Sequence, residues 1–156
     1  MTQTAETLAP DATKAICEAL EQAKAETVVA TMLAQNFHWN VTGMAFGPLH
    51  ALFQTIYEDH FVAQDDLAER VRALGGHAEG KLSVMVKQSK IDEDDGKGDA
   101  QDMIRKMAEA ERTLASTLTA AAAIAAENDD LLTEDLCIGR GRDHEKFAWL
   151  LSAHLD

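Results

Sequence analysis

The sequence predicts an all-α protein: a four-helix bundle with a long crossover that carries a short helix. Proline occupies only two of the 156 positions, and the chain is rich in Ala, Leu, Glu and Gln, which favour helices. Apolar residues recur at steps of three and four along four long segments, which indicates helices with one buried face. Two of these segments precede a polar stretch of over twenty residues and two follow it. This order is typical of two helical hairpins joined by one long crossover.

The first hairpin is predicted from a row of apolar residues along one helix face, the apolar seam, and from the prolines and glycines at the helix ends. Pro10 suits a first helical turn. Gly43 and Gly47 bracket a short turn, Pro48 opens the second helix, and Gly75–Gly76 ends it. The seam of the first helix consists of Ile16, Leu20, Ala23, Thr27, Ala30, Ala34, Phe37 and Val41.

The crossover and the second hairpin follow from the same signals. The apolar residues of 82–86 predict a short docked helix within the crossover. Asp99 is expected to cap the third long helix, and a turn at Asn128–Asp130 precedes the last one. Gly139 and Gly141 weaken that last helix in its middle. We expect residues 1–156 to form a single domain.

Charge and cysteine content exclude several classes of function. Lys and Arg number 14 against 27 Asp and Glu, a net charge of -13, so a broad nucleic-acid-binding face is not expected. Cys17 and Cys137 match no C-x-x-C pattern, which excludes a zinc knuckle. The sequence has neither an apolar run of membrane-spanning length nor the features of a secretory signal. We therefore expect a cytoplasmic protein.

The spacing of the histidines shows whether the sequence contains a known metal-binding motif. The sequence contains neither H-E-x-x-H, the zinc-protease motif, nor Glu-x-x-His, the pair that places di-iron ligands inside a bundle. A di-iron centre within one bundle is therefore not expected. Four of the six histidines are assigned no role as ligands: His60, His77, His144 and His154.

A different constellation could still bind a metal. His38 lies at the end of the first helix and His50 near the start of the second, while Asp65 and Glu69 share one helical face. Two imidazoles and two carboxylates suit ferrous iron or another borderline divalent cation. His50 and Asp65 are fifteen positions apart on one helix, about 22 Å along its axis. A site containing all four residues therefore requires carboxylates from a second subunit.

Two simpler interpretations compete with this metal site. Asp65 and Glu69, flanked by Asp66 and Arg70, also fit a solvated helix face. His38, beside two aromatic residues, also fits a hydrogen-bonded core histidine. Spacing alone favours these simpler interpretations.

Beyond spacing, the residues around these positions resemble the Dps family of mini-ferritins, the DNA-protection-during-starvation group. The similarity spans nearly the whole chain, and its most specific element is a His-Trp-x-Val-x-Gly segment with a second histidine twelve residues later. The matching segments are Asn36–Gly43, Phe46, Leu49–His50, Asp65–Arg70, Leu74–Gly76 and Arg142–Leu151.

The resemblance implies a ferritin-like fold and a hollow dodecamer that oxidises Fe(II) and stores ferric mineral inside. It implies hydrogen peroxide as the oxidant and ferroxidase centres at two-fold interfaces between subunits. Carried over by motif, the iron ligands, which are also the catalytic residues, are His38, His50, Asp65 and Glu69. Trp39 matches the tryptophan that lies beside the centre in the family. Asp129, Asp130, Glu134 and Asp135 could line an entry pore for ferrous ions.

Two departures from the family pattern limit what can be carried over. Many members have an aspartate one turn after the second histidine, where this chain has Gln54, so a second iron position is in doubt. Members that condense DNA often use a Lys-rich tail, whereas residues 1–26 carry two lysines against five acidic residues. DNA binding is therefore not expected. A Dps-like nucleoid or shell protein without effective ferroxidase activity is the alternative function.

Overall fold

The structure is a computed structural model that describes residues 4–156. Four long helices form a bundle of two hairpins, and a short helix on the crossover packs against the first of them. This confirms the all-α fold class that the sequence predicts. Among residues 4–156 there is no strand, and none of the helices is long and apolar enough to cross a bilayer. The helices are α1 (Pro10–Asn40), α2 (Phe46–Ala73), α3 (Leu82–Gln88), α4 (Ala100–Glu127) and α5 (Leu131–Ser152).

The helix ends lie close to their predicted positions, with two small differences. Val41, the last member of the predicted seam, is the extended residue that follows α1. Helix α2 begins at Phe46, two residues before Pro48. Asp99 caps α4 as predicted, because its side chain accepts a hydrogen bond from the backbone N–H of Asp102 at 2.8 Å.

The crossover is fastened to the bundle by polar contacts. The side-chain amide of Asn36 on α1 donates to the backbone carbonyl of Asp94 at 2.8 Å, and Lys106 on α4 pairs with the Asp94 carboxylate at 2.6 Å. Gly96 lies between them with a φ of +70°, and a Cβ at this position would overlap the Asn36 amide. Only glycine combines that backbone conformation with such a close approach.

The core consists of two apolar clusters, one towards each end of the bundle. Between them, buried polar residues interrupt the interior on α2, α4 and α5: His60, Glu111, Arg140 and His144. The cluster near the α1–α2 turn includes Phe37, Phe53, Ile56, Met107, Leu114 and Leu151. The cluster at the other end includes Ile16, Leu20, Leu67, Leu118 and Cys137.

Candidate metal centre

The end of α1 and the start of α2 bring His38 and His50 together. Their rings stack with centroids 3.7 Å apart and planes inclined by 17°. Each Nδ1 lies 2.7 Å from the backbone carbonyl oxygen of the other histidine. A carbonyl only accepts, so each Nδ1 carries a hydrogen, and in the neutral imidazole the lone pair is then on Nε2. Such hydrogen bonds fix the tautomer and orientation of metal-binding histidines.

Aromatic neighbours hold this pair in place. Phe46 stacks on His50 with centroids 5.0 Å apart, and Tyr57 meets His38 edge-on at 5.3 Å. His38 is buried, whereas the neighbouring Trp39 is 59% exposed. The pair is thus a rigid element at one end of the bundle, with an exposed tryptophan beside it.

The two predicted carboxylates lie elsewhere. Asp65 and Glu69 are exposed, one turn apart, on the second half of α2. Because α2 is continuous, Asp65 is about 22 Å from His50 along the helix axis. Among residues 4–156, no side-chain hydrogen bond or ion pair engages either carboxylate. One chain therefore keeps the two parts of the predicted ligand set apart, with the histidines at one end of α2 and the carboxylates towards the other.

Gln54, where many family members have aspartate, is exposed on α2 one turn after His50. Its side-chain amide donates to the carboxylate of Glu58, another turn along the helix, at 2.8 Å. The Gln54 amide thus points away from the start of α2. The nearest following carboxylate is that of Glu58, which lies one turn further along α2 than position 54.

The acidic residues at the start of α5 include one that cannot line a pore. Asp130 is buried and caps α5 by accepting from the backbone N–H of Thr133 at 3.1 Å. Arg70 on α2 pairs with the same carboxylate at 2.9 Å. The pore expectation is therefore wrong for Asp130, because a partnered and buried carboxylate is not presented to entering ions.

A second group of metal-binding residue types occupies the bundle interior. His60 on α2, Glu111 on α4 and His144 on α5 are all fully buried, and their ligand atoms lie within 4.8 Å of one another. His60 Nε2 is 2.8 Å from one Glu111 oxygen, and His144 Nδ1 is 2.6 Å from the other. We call these three residues the inner cluster.

Charged neighbours complete the surroundings of the inner cluster. Asp59 lies 3.1 Å from His60 Nδ1. Arg140 pairs with Asp59 at 2.7 Å and with Asp143 at 3.1 Å, and its Nη2 is also 3.2 Å from His144 Nε2. The buried guanidinium of Arg140 is therefore paired with one carboxylate of α2 and one of α5, as an interior charge must be.

Burial and ion pairing oppose each other in setting the protonation of the inner cluster. Burial favours the neutral form of His60, but the carboxylates of Glu111 and Asp59 outweigh it and raise the pKa of His60 to about 9. Burial also raises the pKa of Glu111, and both histidines together lower it below its usual value. The pKa of His144 is lowered, chiefly by burial. At neutral pH the cluster thus contains a charged His60 between two carboxylates and a neutral His144.

The inner cluster was not predicted from the sequence, because no known metal-binding motif contains His60 or His144. A usable signal was present, because each member takes a core-facing position in the spacing of its helix. His60 follows Ile56 by four residues, and Glu111 follows Met107 by four. A titratable residue at a seam position must be hydrogen-bonded or charge-paired once it is buried. Which helices supply the partners depends on tertiary packing and cannot be derived from spacing.

Comparisons with known proteins agree with this architecture. The protein-family model described as a ferritin-like domain matches residues 17–156 of this chain. "DNA protection during starvation protein 2" of Bacillus anthracis is 31% identical over 143 residues, covering 92% of this chain and 98% of the relative. The "DNA protection during starvation protein" of Brevibacillus brevis is 33% identical over 137 residues, covering 88% and 92%.

Solved structures show the same relationship in three dimensions. The Dps protein of Vibrio cholerae O1, described as a member of a broad superfamily of ferritin-like diiron-carboxylate proteins, superposes with a TM-score of 0.93 at 28% identity, covering 100% of this chain and 98% of that one. The Dps protein of Bacillus brevis gives 0.91 at 30% identity, covering 96% and 100%. With the fold, the domain match and the relatives in agreement, this chain belongs to the Dps family of ferritin-like proteins.

Proposed function

We propose that this protein is an iron-storage ferroxidase that oxidises Fe(II) with hydrogen peroxide and keeps the ferric mineral inside a hollow shell. The main supporting observation is the stacked pair of His38 and His50, whose Nδ1 hydrogen bonds leave both Nε2 atoms free to bind ferrous iron. Each of two ferrous ions gives up one electron. Peroxide takes both electrons and two protons and becomes two molecules of water, so that hydroxyl radical is not released.

The oxidation site is shared between two subunits. His38 and His50 of one chain face Asp65 and Glu69 of a second, with the two α2 helices antiparallel about a two-fold axis. Symmetry then gives two equivalent sites per dimer. The unengaged carboxylates fit this arrangement, and so does exposed Phe61, 66% exposed on α2 one turn before Asp65. Large apolar side chains exposed on a helix face indicate a contact surface.

The two ligand types have different tasks at this site. Imidazole nitrogens suit the ferrous ion that enters, and carboxylate oxygens suit the harder ferric product. The backbone carbonyls fix the orientation of both rings, so that ordering these ligands costs little when iron arrives. With Gln54 in place of an acidic residue, one iron position has protein ligands. The second ferrous ion, which the two-electron reduction of peroxide needs, would be held by water or by Glu58.

The shell is a homo-oligomer, a dodecamer in our proposal, built from single-domain subunits of residues 1–156 and working in the cytoplasm. Acidic side chains lining its interior would nucleate the ferric mineral. Exposed Asp129 and Asp135 and half-buried Glu134 stay candidates for the entry route that Asp130 cannot serve.

We do not propose DNA binding, although relatives carry DNA protection in their names. A net charge of -13 repels phosphates. A duplex contact needs clustered Lys and Arg to replace the counterions of DNA. The alternative, a shell without effective ferroxidase activity, has only Gln54 in its favour.

The test is to remove one ligand from each part of the ligand set. His50→Ala and Asp65→Asn should each slow peroxide-driven ferrous oxidation at least about tenfold, because a lost ligand weakens the ion and misplaces its open position. Stopped-flow absorbance measures the rate, and circular dichroism checks that the variants remain helical. Asp66→Asn is the matched control, an exposed carboxylate on the same helix that should keep the parent rate. A ligand variant with the parent rate would remove that residue from the site.

A further inference from the structure

We infer that the inner cluster of His60, Glu111 and His144 is a second cation site, within one subunit, for a divalent transition metal such as zinc or ferrous iron. Two imidazoles and one carboxylate are a ligand set that binds both ions. The three side chains come from three helices, with ligand atoms within 4.8 Å of one another. An ion about 2.0–2.2 Å from each atom needs only small movements of these side chains.

The contacts behind His60 are those of a metal ligand. Its Nε2 faces Glu111, while its Nδ1 lies 3.1 Å from the carboxylate of Asp59. Metal-binding histidines usually donate their second N–H to such a carboxylate, which fixes the tautomer and raises ligand basicity. Asp59 is itself held by Arg140 at 2.7 Å. The ring is therefore oriented before any ion arrives.

The formal charge around the inner cluster also fits a divalent cation. With both imidazoles neutral, the charged groups are the carboxylates of Asp59, Glu111 and Asp143 and the guanidinium of Arg140. Three negative charges and one positive leave a net of −2 once His60 has released its proton, against −1 while His60 is charged. A divalent ion in place of that proton balances the charge, of which the part on Asp143 is half-exposed to solvent.

Binding requires His60, which is charged at neutral pH, to release one proton to solvent, and it requires a rearrangement at His144. Its Nε2 now accepts from Arg140 at 3.2 Å, and its Nδ1 donates to Glu111 at 2.6 Å. When Nδ1 binds the ion, the hydrogen moves to Nε2 and the contact with Arg140 opens. Arg140 keeps its bonds to Asp59 and Asp143, so the guanidinium remains paired.

Entry to this site depends on motion of α5. Every member of the inner cluster has zero exposure, so an ion enters only when a helix moves. Gly139 and Gly141 lie five and three residues before His144, and a Cβ at either would meet no atom within 4 Å in the subunit. Glycine inside a helix lowers its stability, so α5 is weakened beside the cluster. We expect metal uptake to be slow.

The inference is tested by measuring zinc binding to a variant that lacks the proposed oxidation site between subunits. The double variant His50→Ala, Asp65→Asn lacks ligands on both sides of the interface, and no oxidation is measured, so failure of the proposed ferroxidase does not affect the result. After prolonged equilibrium dialysis, this variant should retain about one zinc ion per chain. Adding Glu111→Gln should abolish that ion, whereas adding Glu109→Gln, an exposed site on the same helix, should not.

X-ray absorption at the zinc edge supplies a measurement that needs no core variant. The zinc of the double variant should show two imidazole ligands and oxygen. Zinc that is absent after dialysis, bound with fewer than two imidazoles, or retained by folded Glu111→Gln protein would overturn the inner site. Anaerobic competition by Fe(II) then distinguishes an iron site from one that prefers zinc.

Discussion

Glu111 is the residue on which the charge balance of the interior depends. It is fully buried and accepts from both His60 and His144. Replacing it by Gln leaves a charged imidazole without its main partner, and removal of one member of a buried ion pair is strongly destabilising. We expect Glu111→Gln to lower the free energy of unfolding of metal-free protein by about 3 kcal/mol.

Guanidinium denaturation in the presence of a chelator measures this change. Glu109→Gln is the control, because the Glu109 side chain is 74% exposed and pairs with Arg112 only at the surface. Its effect should stay within about 0.5 kcal/mol. Equal midpoints for the two variants would show that the Glu111 charge does not support the fold.

Single residues were predictable where their partners are near in sequence. His38 and His50 flank one short turn, so the turn itself brings them together. His60 and His144 are far apart along the chain, and only the packing of α2, α4 and α5 joins them through Glu111. Their core-facing spacing was visible in the sequence, whereas the identity of their partners was not.

At the scale of helices and connections, replacing either of two glycines by alanine should change the stability of the protein in opposite directions. Gly139 lies within α5, where a Cβ meets no atom, so Gly139→Ala should stabilise the protein by about 0.5–1 kcal/mol. Gly96 has a φ of +70° and contacts Asn36, so Gly96→Ala should destabilise it by about 1–3 kcal/mol. Denaturation midpoints of both variants check these signs. A higher stability of the Gly96→Ala variant would contradict the close contact between Gly96 and Asn36 that holds the crossover against α1.

Helix ends were predictable because they depend on local chemistry. Asp99 accepts from the Asp102 N–H, as its place before an apolar periodic segment indicates. Val41 was expected in α1 but lies one residue beyond its end, because an apolar side chain can continue a buried seam after the helix has ended. Asp130 was misjudged for a different reason. Its partner Arg70 lies on another hairpin, so its burial follows from packing and not from local sequence.

At the scale of the whole molecule, the length of α2 links one subunit to the next. Its first half carries His50 and its second half carries Asp65 and Glu69, on one continuous helix from Phe46 to Ala73. A rigid helix cannot fold back to join its own ends, so the proposed oxidation site exists only between chains. The sequence predicts this separation once the helix is assigned, but not how a partner docks.

Subunit mixing tests the shared site directly. His50→Ala and Asp65→Asn chains, each inactive alone, are dissociated, mixed and reassembled. A mixed dimer has one site with both lesions and one site that is intact. Random pairing makes about half of the dimers mixed, so about a quarter of the parent oxidation rate should return if sites act independently. A site within one chain would stay inactive in every mixture, because each chain carries its own lesion. Exchange is confirmed by native mass spectrometry, and confirmed exchange without recovered oxidation would refute the site between subunits.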